Sequence, residues 1–254
     1  MLEIKKMSCS IVDSDINILK DFSLKIKDGE THVIMGPNGV GKSTLSKVIM
    51  GYYKYQVTDG DILVDGESIL NDSVDVRAKK GIFLCMQDPT VIEGVSNSEF
   101  LRTARASIIG EKVNLYTFIK DMENAMKAVC LNESMLHRSL NQGFSGGEKK
   151  KNEILQMKIL KPKYIILDEL DSGLDVDSLR TVCENINQYM NENKDASLLI
   201  ITHYPRILEY LKPDYVHILK DGKIQKSGGL ELALDVEKNG YTGINVIAGD
   251  GVCE

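Results

Sequence analysis

The sequence lacks an apolar run of the length that a membrane-spanning helix requires. Its hydrophobic stretches are short, and none approaches the roughly 20 consecutive residues that cross a bilayer. The first residues, MLEIK, resemble neither a signal peptide nor a transit peptide. We therefore expect a protein without direct membrane insertion that works in the cytoplasm, or in a plastid-type organelle if its source is eukaryotic.

An excess of positive charge is also absent. The 254 residues include 31 Lys and Arg against 37 Asp and Glu, which gives a formal net charge of -6. This balance gives no support for a nucleic-acid partner, because proteins that bind nucleic acid carry a basic surface. The only basic cluster, Lys149-Lys150-Lys151, is more typical of a solvated helix face than of a binding patch.

Cysteine is scarce and follows no ligand spacing. An odd number of cysteines is scattered along the chain without a C-x-x-C pair: Cys9, Cys85, Cys130, Cys183 and Cys253. This pattern predicts reduced thiols in a cytosol-like compartment. It also argues against a metal or iron–sulfur cluster site within the chain itself.

The distribution of apolar residues indicates the fold class. Hydrophobic residues make up 43% of the chain, which is enough for the core of one or two domains. Short apolar runs typical of buried strands lie at residues 31–35, 81–86, 164–167 and 197–202. Because helical patterns separate several of these runs, we expect an α/β fold with a mostly parallel sheet covered on both faces.

Further strands and a helical insertion complete the predicted organisation. Residues 2–26 are typical of antiparallel strands, a strand is predicted at 60–66, and a hairpin at 215–227. Strand-like runs disappear between about residues 95 and 142, which indicates a helical subdomain. We therefore predict one domain over 1–254, in which residues 1–94 and 143–254 form the α/β core and residues 95–142 the helical subdomain.

The segment 36–43 matches the phosphate-binding pattern G-x-x-x-x-G-K-[ST]. An ordinary glycine-rich turn is the alternative, but a buried strand precedes the segment and a helical stripe, Leu45, Val48 and Ile49, follows it. A glycine-rich turn before a helix N-terminus gathers backbone N–H groups around a phosphate. Lys42 would reach the terminal phosphates and Ser43 would ligate Mg²⁺. The candidate ATP-binding residues are Gly36, Pro37, Asn38, Gly39, Val40, Gly41, Lys42, Ser43 and Thr44.

Two acidic residues follow the apolar run at 164–167. A strand that ends at Asp168 could deliver this carboxylate opposite Ser43, where it would hold Mg²⁺ through water. The adjacent Glu169 could polarise an attacking water as general base. Two surface acids at a strand end are common, and the phosphate-binding segment upstream is what favours the catalytic interpretation.

The segment Ser145-Gly146-Gly147-Glu148 allows two interpretations that can hold together. Ser145 and Glu148 have the spacing of a capping box, which is an ordinary helix start. Two glycines in a first turn are costly, up to about 1 kcal/mol each in a helix interior. Their cost is understandable where backbone comes close to a ligand, so we expect a helix N-terminus that meets phosphate.

In the order of these motifs the chain resembles the ATP-binding-cassette (ABC) ATPases. The motifs that carry the resemblance are, in chain order, the P-loop at 36–43, Gln87, Ser145-Gly146-Gly147, Asp168-Glu169, Ser172-Gly173-Leu174-Asp175 and His203. The resemblance covers nearly the whole chain. It implies an ABC nucleotide-binding domain with a P-loop core, an antiparallel β subdomain and an inserted helical subdomain, and a Mg²⁺-dependent ATPase.

The resemblance also implies roles for single residues. Gln87 would contact Mg²⁺ and the lytic water, His203 would hydrogen-bond the γ-phosphate, and Asp175 would lie at a dimer seam. The P-loop of one subunit would face the Ser145 segment of a second, so that two ATP molecules are held between two chains. Closure and reopening of this pair would convert hydrolysis into motion.

Within that family the chain is similar to the SufC-type ATPases of iron–sulfur cluster assembly. The segments that carry this closer resemblance are residues 94–97, 144–157, 168–175, 202–208 and 212–217. It implies SufB- and SufD-type scaffold subunits as partners, docked near residues 87–97, and an ATP-dependent dimer. Transport cassettes more often have glutamine in place of Glu148 and a Pro-Thr pair in place of Leu170-Asp171. The alternative is the motor subunit of an ABC membrane transporter.

Two narrower hypotheses concern the nucleotide site. Lys149 or Lys150 could pair with Glu169 and hold this base away from the nucleotide until the chain dimerises. Residues 8–17 offer no aromatic side chain on which adenine could stack. We therefore expect aliphatic contact with the base, with Val12 as the candidate.

Overall fold

The computed structural model describes residues 1–14 and 16–241 of the chain. The strands are β1 (Leu2–Ile11), β2 (Asn17–Ile26), β3 (Thr31–Met35), β4 (Tyr55–Val64), β5 (Glu67–Ser68), β6 (Ile82–Cys85), β7 (Ile92–Ser96), β8 (Ser139–Leu140), β9 (Tyr164–Asp168), β10 (Ser197–Ile201), β11 (Tyr215–Lys220) and β12 (Lys223–Gly228). The α-helices are α1 (Lys42–Ile49), α2 (Val74–Lys79), α3 (Asn97–Ile109), α4 (Leu115–Ala128), α5 (Gly146–Leu160), α6 (Val176–Glu192) and α7 (Leu230–Asn239), and 3-10 helices span Glu133–Leu136 and Pro205–Glu209. In these described ranges no helix combines the length and apolarity that crossing a membrane requires.

The larger sheet has the strand order β12-β11-β3-β10-β9-β6. Its strands from β11 to β6 run parallel, and β12 pairs antiparallel with β11 as the second arm of the expected hairpin. The central strands β3, β9 and β10 are buried over nearly their whole length, as strands covered on both faces must be. The predicted α/β fold with a mostly parallel sheet is confirmed.

The register of this sheet brings two distant motifs to one edge. Ile201 of β10 lies opposite Ile34 of β3 on one side and opposite Asp168 of β9 on the other. The P-loop begins at Gly36, just after β3. Both the P-loop and Asp168 therefore lie at the carboxyl edge of the sheet, where α/β proteins bind their ligands.

A smaller antiparallel sheet of order β2-β1-β4-β5 packs against α1. Its buried side chains, Ile4 and Phe22 among them, belong to one hydrophobic cluster with Leu45 and Ile49 of α1 and Ile166 of β9. The helix that follows the P-loop is thus held between two sheets. This packing fixes its N-terminus at the carboxyl edge of the larger sheet.

The segment between β6 and α5 is mainly helical, with α3, α4 and a 3-10 helix. A short antiparallel ladder closes it, in which β7 pairs with β8 through Ile92 with Leu140 and Ser96 with Ser139. The expectation that strands are absent between residues 95 and 142 is wrong at these two ends, because a two-residue strand is too short to show a pattern in sequence. The boundaries of a separate helical subdomain stay a prediction.

The cysteines of the described ranges are free thiols. Cys9, Cys85 and Cys183 are buried, and Cys130 is exposed. Burial raises the pKa of the Cys183 thiol to about 12, so this group stays protonated at neutral pH. Cys253 lies outside the described residues.

Candidate active site

The P-loop has backbone requirements that explain two of its glycines. A Cβ atom at Gly36 would lie 2.2 Å from the carbonyl oxygen of Leu219 on β11. Gly41 has φ of +106°, and a Cβ there would lie 2.9 Å from the Leu19 side chain. Neither position accepts another residue without rearrangement. The main chain of the loop can therefore pass close to β11 and to β2 just before α1 begins.

Lys42 is the first residue of α1 and is only 4% exposed. Its ammonium donates hydrogen bonds to the carbonyl oxygens of Gly36 and Pro37, both at 2.7 Å. Burial lowers the pKa of Lys42 to about 8, while the nearby carboxylates of Glu169 and Asp168 oppose that shift. The side chain stays mostly charged at neutral pH, in a position suited to an anion.

Asp168 ends β9 and is held by two hydroxyl groups of α1. Its Oδ1 accepts from Ser43 Oγ at 3.1 Å and its Oδ2 accepts from Ser46 Oγ at 2.7 Å. Burial raises the pKa of Asp168, and these two hydrogen bonds act against the rise. Ser46 was missed by the sequence reasoning, although its spacing of three residues from Ser43 puts both hydroxyls on one helix face.

The oxygen atoms around Asp168 suit a magnesium ion. A serine hydroxyl and a carboxylate are hard oxygen donors, which Mg²⁺ prefers. The part of the chain that the structure describes has no group of three His, Cys, Asp or Glu able to hold a metal ion. Mg²⁺ does not need one, since it commonly binds through one or two carboxylates, waters and substrate phosphates. The residues present therefore fit Mg²⁺ bound together with a nucleotide.

Glu169 follows Asp168 in a left-handed backbone conformation, with φ of +49°. Its Oε2 accepts a hydrogen bond from Gln87 Nε2 and its Oε1 lies against His203 Nε2, both at 2.6 Å. Gln87 and His203, which the sequence singled out and which are far apart along the chain, thus both contact the Glu169 carboxylate.

The hypothesis that Lys149 or Lys150 pairs with Glu169 is wrong in this structure. Lys149 forms its ion pair with Asp88, at 3.7 Å, and Lys150 donates to the carbonyl oxygen of Met86. The Glu169 carboxylate is taken by Gln87 and His203 instead. The expectation of a solvated face is also wrong for Lys150, which is only 3% exposed.

A cavity of about 660 Å³ lies between the P-loop and the Glu169 carboxylate. Its lining residues are Ile18, Asn38, Gly39, Gly41, Lys42, Ser43, Thr44, Gln87, Glu169, Ser172, His203 and Tyr204. Most of the P-loop candidates therefore share one space with Gln87, Glu169 and His203. Ile18 is the aliphatic side chain of this lining, and Val12, the residue expected to contact adenine, is not part of it. The sequence analysis did not single out Ile18, and it placed Ser172 and Tyr204 in motif segments without assigning them to this cavity.

The Ser145 segment and Asp175 lie elsewhere and act as helix starts. Ser145 Oγ accepts from the Glu148 N–H at 3.3 Å, and Glu148 Oε2 accepts from the Ser145 N–H at 2.8 Å, so the capping box is formed. Asp175 caps α6 through the Ser178 N–H. Among the described residues that line the P-loop cavity, Ser145, Gly146, Gly147 and Asp175 do not occur.

Packing within the chain does not explain the two glycines of the Ser145 segment. Among the residues that the structure describes, a Cβ atom at Gly146 would meet nothing within 4 Å, and one at Gly147 would meet only Leu174, at 3.7 Å. Both have space for a side chain in this fold.

Comparison with known proteins gives consistent matches along most of the chain. The family model described as ABC transporter matches residues 19–172. Vegetative protein 296 of Bacillus subtilis (strain 168) is 49% identical over 242 residues, which cover 94% of this chain and 91% of that protein. The probable ATP-dependent transporter ycf16 of Trieres chinensis is 47% identical over 245 residues, covering 95% of this chain and 96% of that protein.

Solved structures agree on the fold. A bacterial ABC transporter cassette, solved as a dimer, superposes with a TM-score of 0.78 at 22% identity and covers 91% of this chain and 99% of that one. The predicted ABC nucleotide-binding fold is confirmed. The family match confirms the expected ATPase, with ATP and Mg²⁺ as its ligands, at the level of the family. The chain belongs to the ABC transporter family.

Proposed function

We propose that this chain is a SufC-type ATPase subunit of an iron–sulfur cluster assembly system. Its hydrolysis of ATP at a composite dimer site would change the conformation of SufB- and SufD-type scaffold subunits in the cytoplasm. The observation that carries this proposal is the pair Leu170-Asp171, where transport cassettes more often have Pro-Thr. Asp171 accepts hydrogen bonds from Thr202 Oγ1 at 3.1 and 3.2 Å, and so ties this segment to the one that carries His203.

The residues at the carboxyl edge have separate roles in this proposal. The P-loop N–H groups, Lys42 and the N-terminus of α1 bind the phosphates. Ser43 and Asp168 would hold Mg²⁺, with the Gln87 amide oxygen as a further ligand, since the Gln87 nitrogen is directed to Glu169. When bound, the ion supplies positive charge that stabilises the transferred phosphoryl group.

Glu169 is the proposed general base. Each of its oxygens accepts one hydrogen bond, from Gln87 and from His203, and an oxygen of a carboxylate has a second lone pair for a water proton. His203, next to this carboxylate, would hydrogen-bond the γ-phosphate. Gln87 and His203 orient the base, and hydrolysis then requires a water between Glu169 and the phosphate.

The composite site is supported by where the Ser145 segment lies. It is not part of the lining of the cavity in its own chain, and the described residues leave space for a side chain at both of its glycines. A helix N-terminus with two glycines offers N–H groups to an anion that approaches from outside. We therefore assign Ser145, Gly146, Gly147 and Asp175 to the nucleotide of a second subunit, in an ATP-dependent dimer.

Substitution of Glu169 by Gln tests this assignment. It keeps the size of the side chain but removes the base, so we expect turnover to fall at least about 100-fold while ATP binding persists. The mass by light scattering should then double in the presence of ATP and Mg²⁺. The control is Glu184→Gln on α6, an exposed residue, which should behave as the wild type. Unchanged turnover in Glu169→Gln would refute its role as base.

The motor subunit of a membrane transporter is a second candidate function, favoured by the names of relatives. Proteins of Streptococcus pyogenes named probable ABC transporter ATP-binding protein are 48% identical over 246 residues. Purification of the tagged chain from its own cells separates the two functions. Identification of SufB- and SufD-type subunits supports cluster assembly, and an integral membrane protein in their place contradicts it.

A further inference from the structure

Two buried side chains of α5 hold one residue, Met86, by its main-chain N–H and its main-chain carbonyl group. Glu153 Oε1 accepts a hydrogen bond from the Met86 N–H at 2.7 Å, and Lys150 Nζ donates to the Met86 carbonyl oxygen at 2.5 Å. Lys150 and Glu153 are three positions apart and lie on one face of the helix. Both are only 3% exposed. The residue held in this way directly precedes Gln87.

A second connection fixes the other end of the same loop. Asn152 Nδ2 donates to Asn141 Oδ1 at 2.9 Å, and Asn141 Nδ2 donates to the carbonyl oxygen of Thr90 at 2.8 Å. Asn141 and Asn152 are buried as well. Polar residues of α5 therefore hold the loop that contains Gln87 directly at Met86 and, through Asn141, at Thr90.

Stability alone is a poor explanation for this arrangement. Burial of an ammonium and a carboxyl group carries a desolvation cost, and apolar replacements of buried ion pairs are often neutral or stabilising. The salt bridges within the described ranges include none between Lys150 and Glu153, and Glu153 Oε2 has no hydrogen-bond partner there. Burial raises the pKa of Glu153 to about 8. Lys150 and Glu153 therefore each form a hydrogen bond with the main chain of Met86 and none with each other.

We propose that Lys150 and Glu153 are positioning residues that set the place of Gln87 relative to Glu169. Gln87 Nε2 donates a hydrogen bond to Glu169 Oε2 at 2.6 Å, so a shift of the main chain at Met86 moves a hydrogen-bond donor of the proposed base. The inference rests on the proposed function, in which the Ser145 end of α5 meets the nucleotide of a partner subunit. From Ser145 to Glu153 the helix spans about 12 Å, and it transmits a displacement at that end to Gln87.

Paired substitutions on adjacent residues test this proposal in the full-length chain with its co-purified subunits. Lys150→Met removes the bond to Met86, and Lys149→Met, one position away, removes only the ion pair to exposed Asp88. We expect Lys150→Met to lower kcat about tenfold, with KM for ATP within about twofold, because the P-loop contacts remain. Amide hydrogen exchange over residues 86–90 should become at least about tenfold faster. Lys149→Met should change none of these beyond about twofold.

Glu153 provides a second pair, which decides the question if Lys150→Met does not fold. Glu153→Gln retains an oxygen for the Met86 N–H, and Glu153→Ala does not. Glu153→Gln should keep kcat within about threefold of the wild type, whereas Glu153→Ala should lose about tenfold. An equal loss in both would overturn the positioning role of the hydrogen bond.

The remaining outcomes are also decisive. Faster exchange over 86–90 with unchanged kcat would show that the contacts only stabilise the loop, and the proposal would be wrong. A lower kcat without faster exchange would mean that Lys150 acts by another route, which also overturns it. Wild-type hydrolysis that does not depend on Glu169 would contradict the proposed function instead, and the exchange data would still report on the Met86 contacts.

Discussion

The hydroxyl group of Ser46 makes a contact whose loss can be measured in two independent ways. Ser46 is fully buried and donates to Asp168 Oδ2 at 2.7 Å. A hydrogen bond to a charged group contributes about 1.5–3 kcal/mol net, so Ser46→Ala should lower the free energy of unfolding by about 2 kcal/mol. For a chain of this size that corresponds to a decrease in Tm of about 4–8 °C.

The same substitution should weaken the response to magnesium. Burial already raises the pKa of Asp168 and the Ser46 hydrogen bond opposes this, so its removal favours the protonated carboxyl, which is a poorer ligand. Substitution of a residue that hydrogen-bonds to a metal ligand and orients it typically lowers metal affinity 10- to 100-fold. We expect the Mg²⁺ concentration at half-maximal ATP hydrolysis to rise about tenfold or more.

Ser10→Ala is the matched control, because Ser10 is a buried serine in the other sheet. Its hydroxyl accepts a neutral hydrogen bond from Gln56 at 3.2 Å, far from Asp168 in the chain. Loss of this neutral hydrogen bond should lower the free energy of unfolding by about 1 kcal/mol, and the Mg²⁺ dependence of hydrolysis should not change. Thermal unfolding followed by circular dichroism and Mg²⁺ titration of turnover measure both effects. An unaltered Mg²⁺ response in Ser46→Ala would refute the assignment of Asp168 to the metal.

Three further predictions follow from buried charged or titratable groups. Arg77 donates to four main-chain carbonyls, two of them in the last turn of α1. Arg77→Met should therefore lower the free energy of unfolding, measured by urea titration, by about 3 kcal/mol. A decrease of less than about 1 kcal/mol would contradict this. Burial lowers the pKa of His217 to about 3, so between about pH 6.5 and 3 the unfolded chain binds a proton that the folded chain does not, and stability decreases as the pH falls. His217→Gln should flatten that slope, and an equal slope in both proteins would exclude His217 as its source. With a pKa of about 8, Lys42 loses its positive charge as the pH rises from 7 to 9.5, so the affinity for ATP, measured with a fluorescent nucleotide, should weaken over this range. A constant affinity would show that Lys42 keeps its charge.

The sequence was sufficient where a motif is local or its order along the chain is informative. The P-loop between β3 and α1 is contiguous, so its geometry follows from glycines and a helix start. Asp168 lies 125 residues after Ser43, and the sequence predicts their pairing because a strand that ends in an acidic pair, together with a P-loop upstream, is typical of an ATP site. The capping box at Ser145 was likewise legible from two residues at fixed spacing.

The sequence was insufficient where burial and hydrophobicity disagree. α5 buries Lys150, Asn152 and Glu153, whose charged or polar side chains suggest solvent. The periodicity of apolar residues is the main sequence signal for a buried helix face. Polar side chains that are buried on a helix do not contribute to this periodicity, so the sequence does not reveal them. Strand β4 shows the same limit, because it starts at Tyr55 rather than near residue 60, and the first half of the strand is largely exposed and polar.

The sheet order explains how residues so far apart meet at one carboxylate. Because β10 lies between β3 and β9, the segment after β10 delivers His203 between the P-loop and Glu169, and the segment after β6 delivers Gln87 from the other side of β9. A regular continuation of β9 would direct Glu169 along the sheet. The left-handed backbone at Glu169, φ +49°, costs about 1–2 kcal/mol for a residue with a Cβ atom, and the Glu169 N–H bond to the Ile201 carbonyl, at 2.9 Å, helps to hold it. With this backbone conformation the Glu169 carboxylate lies within hydrogen-bond distance of both Gln87 and His203.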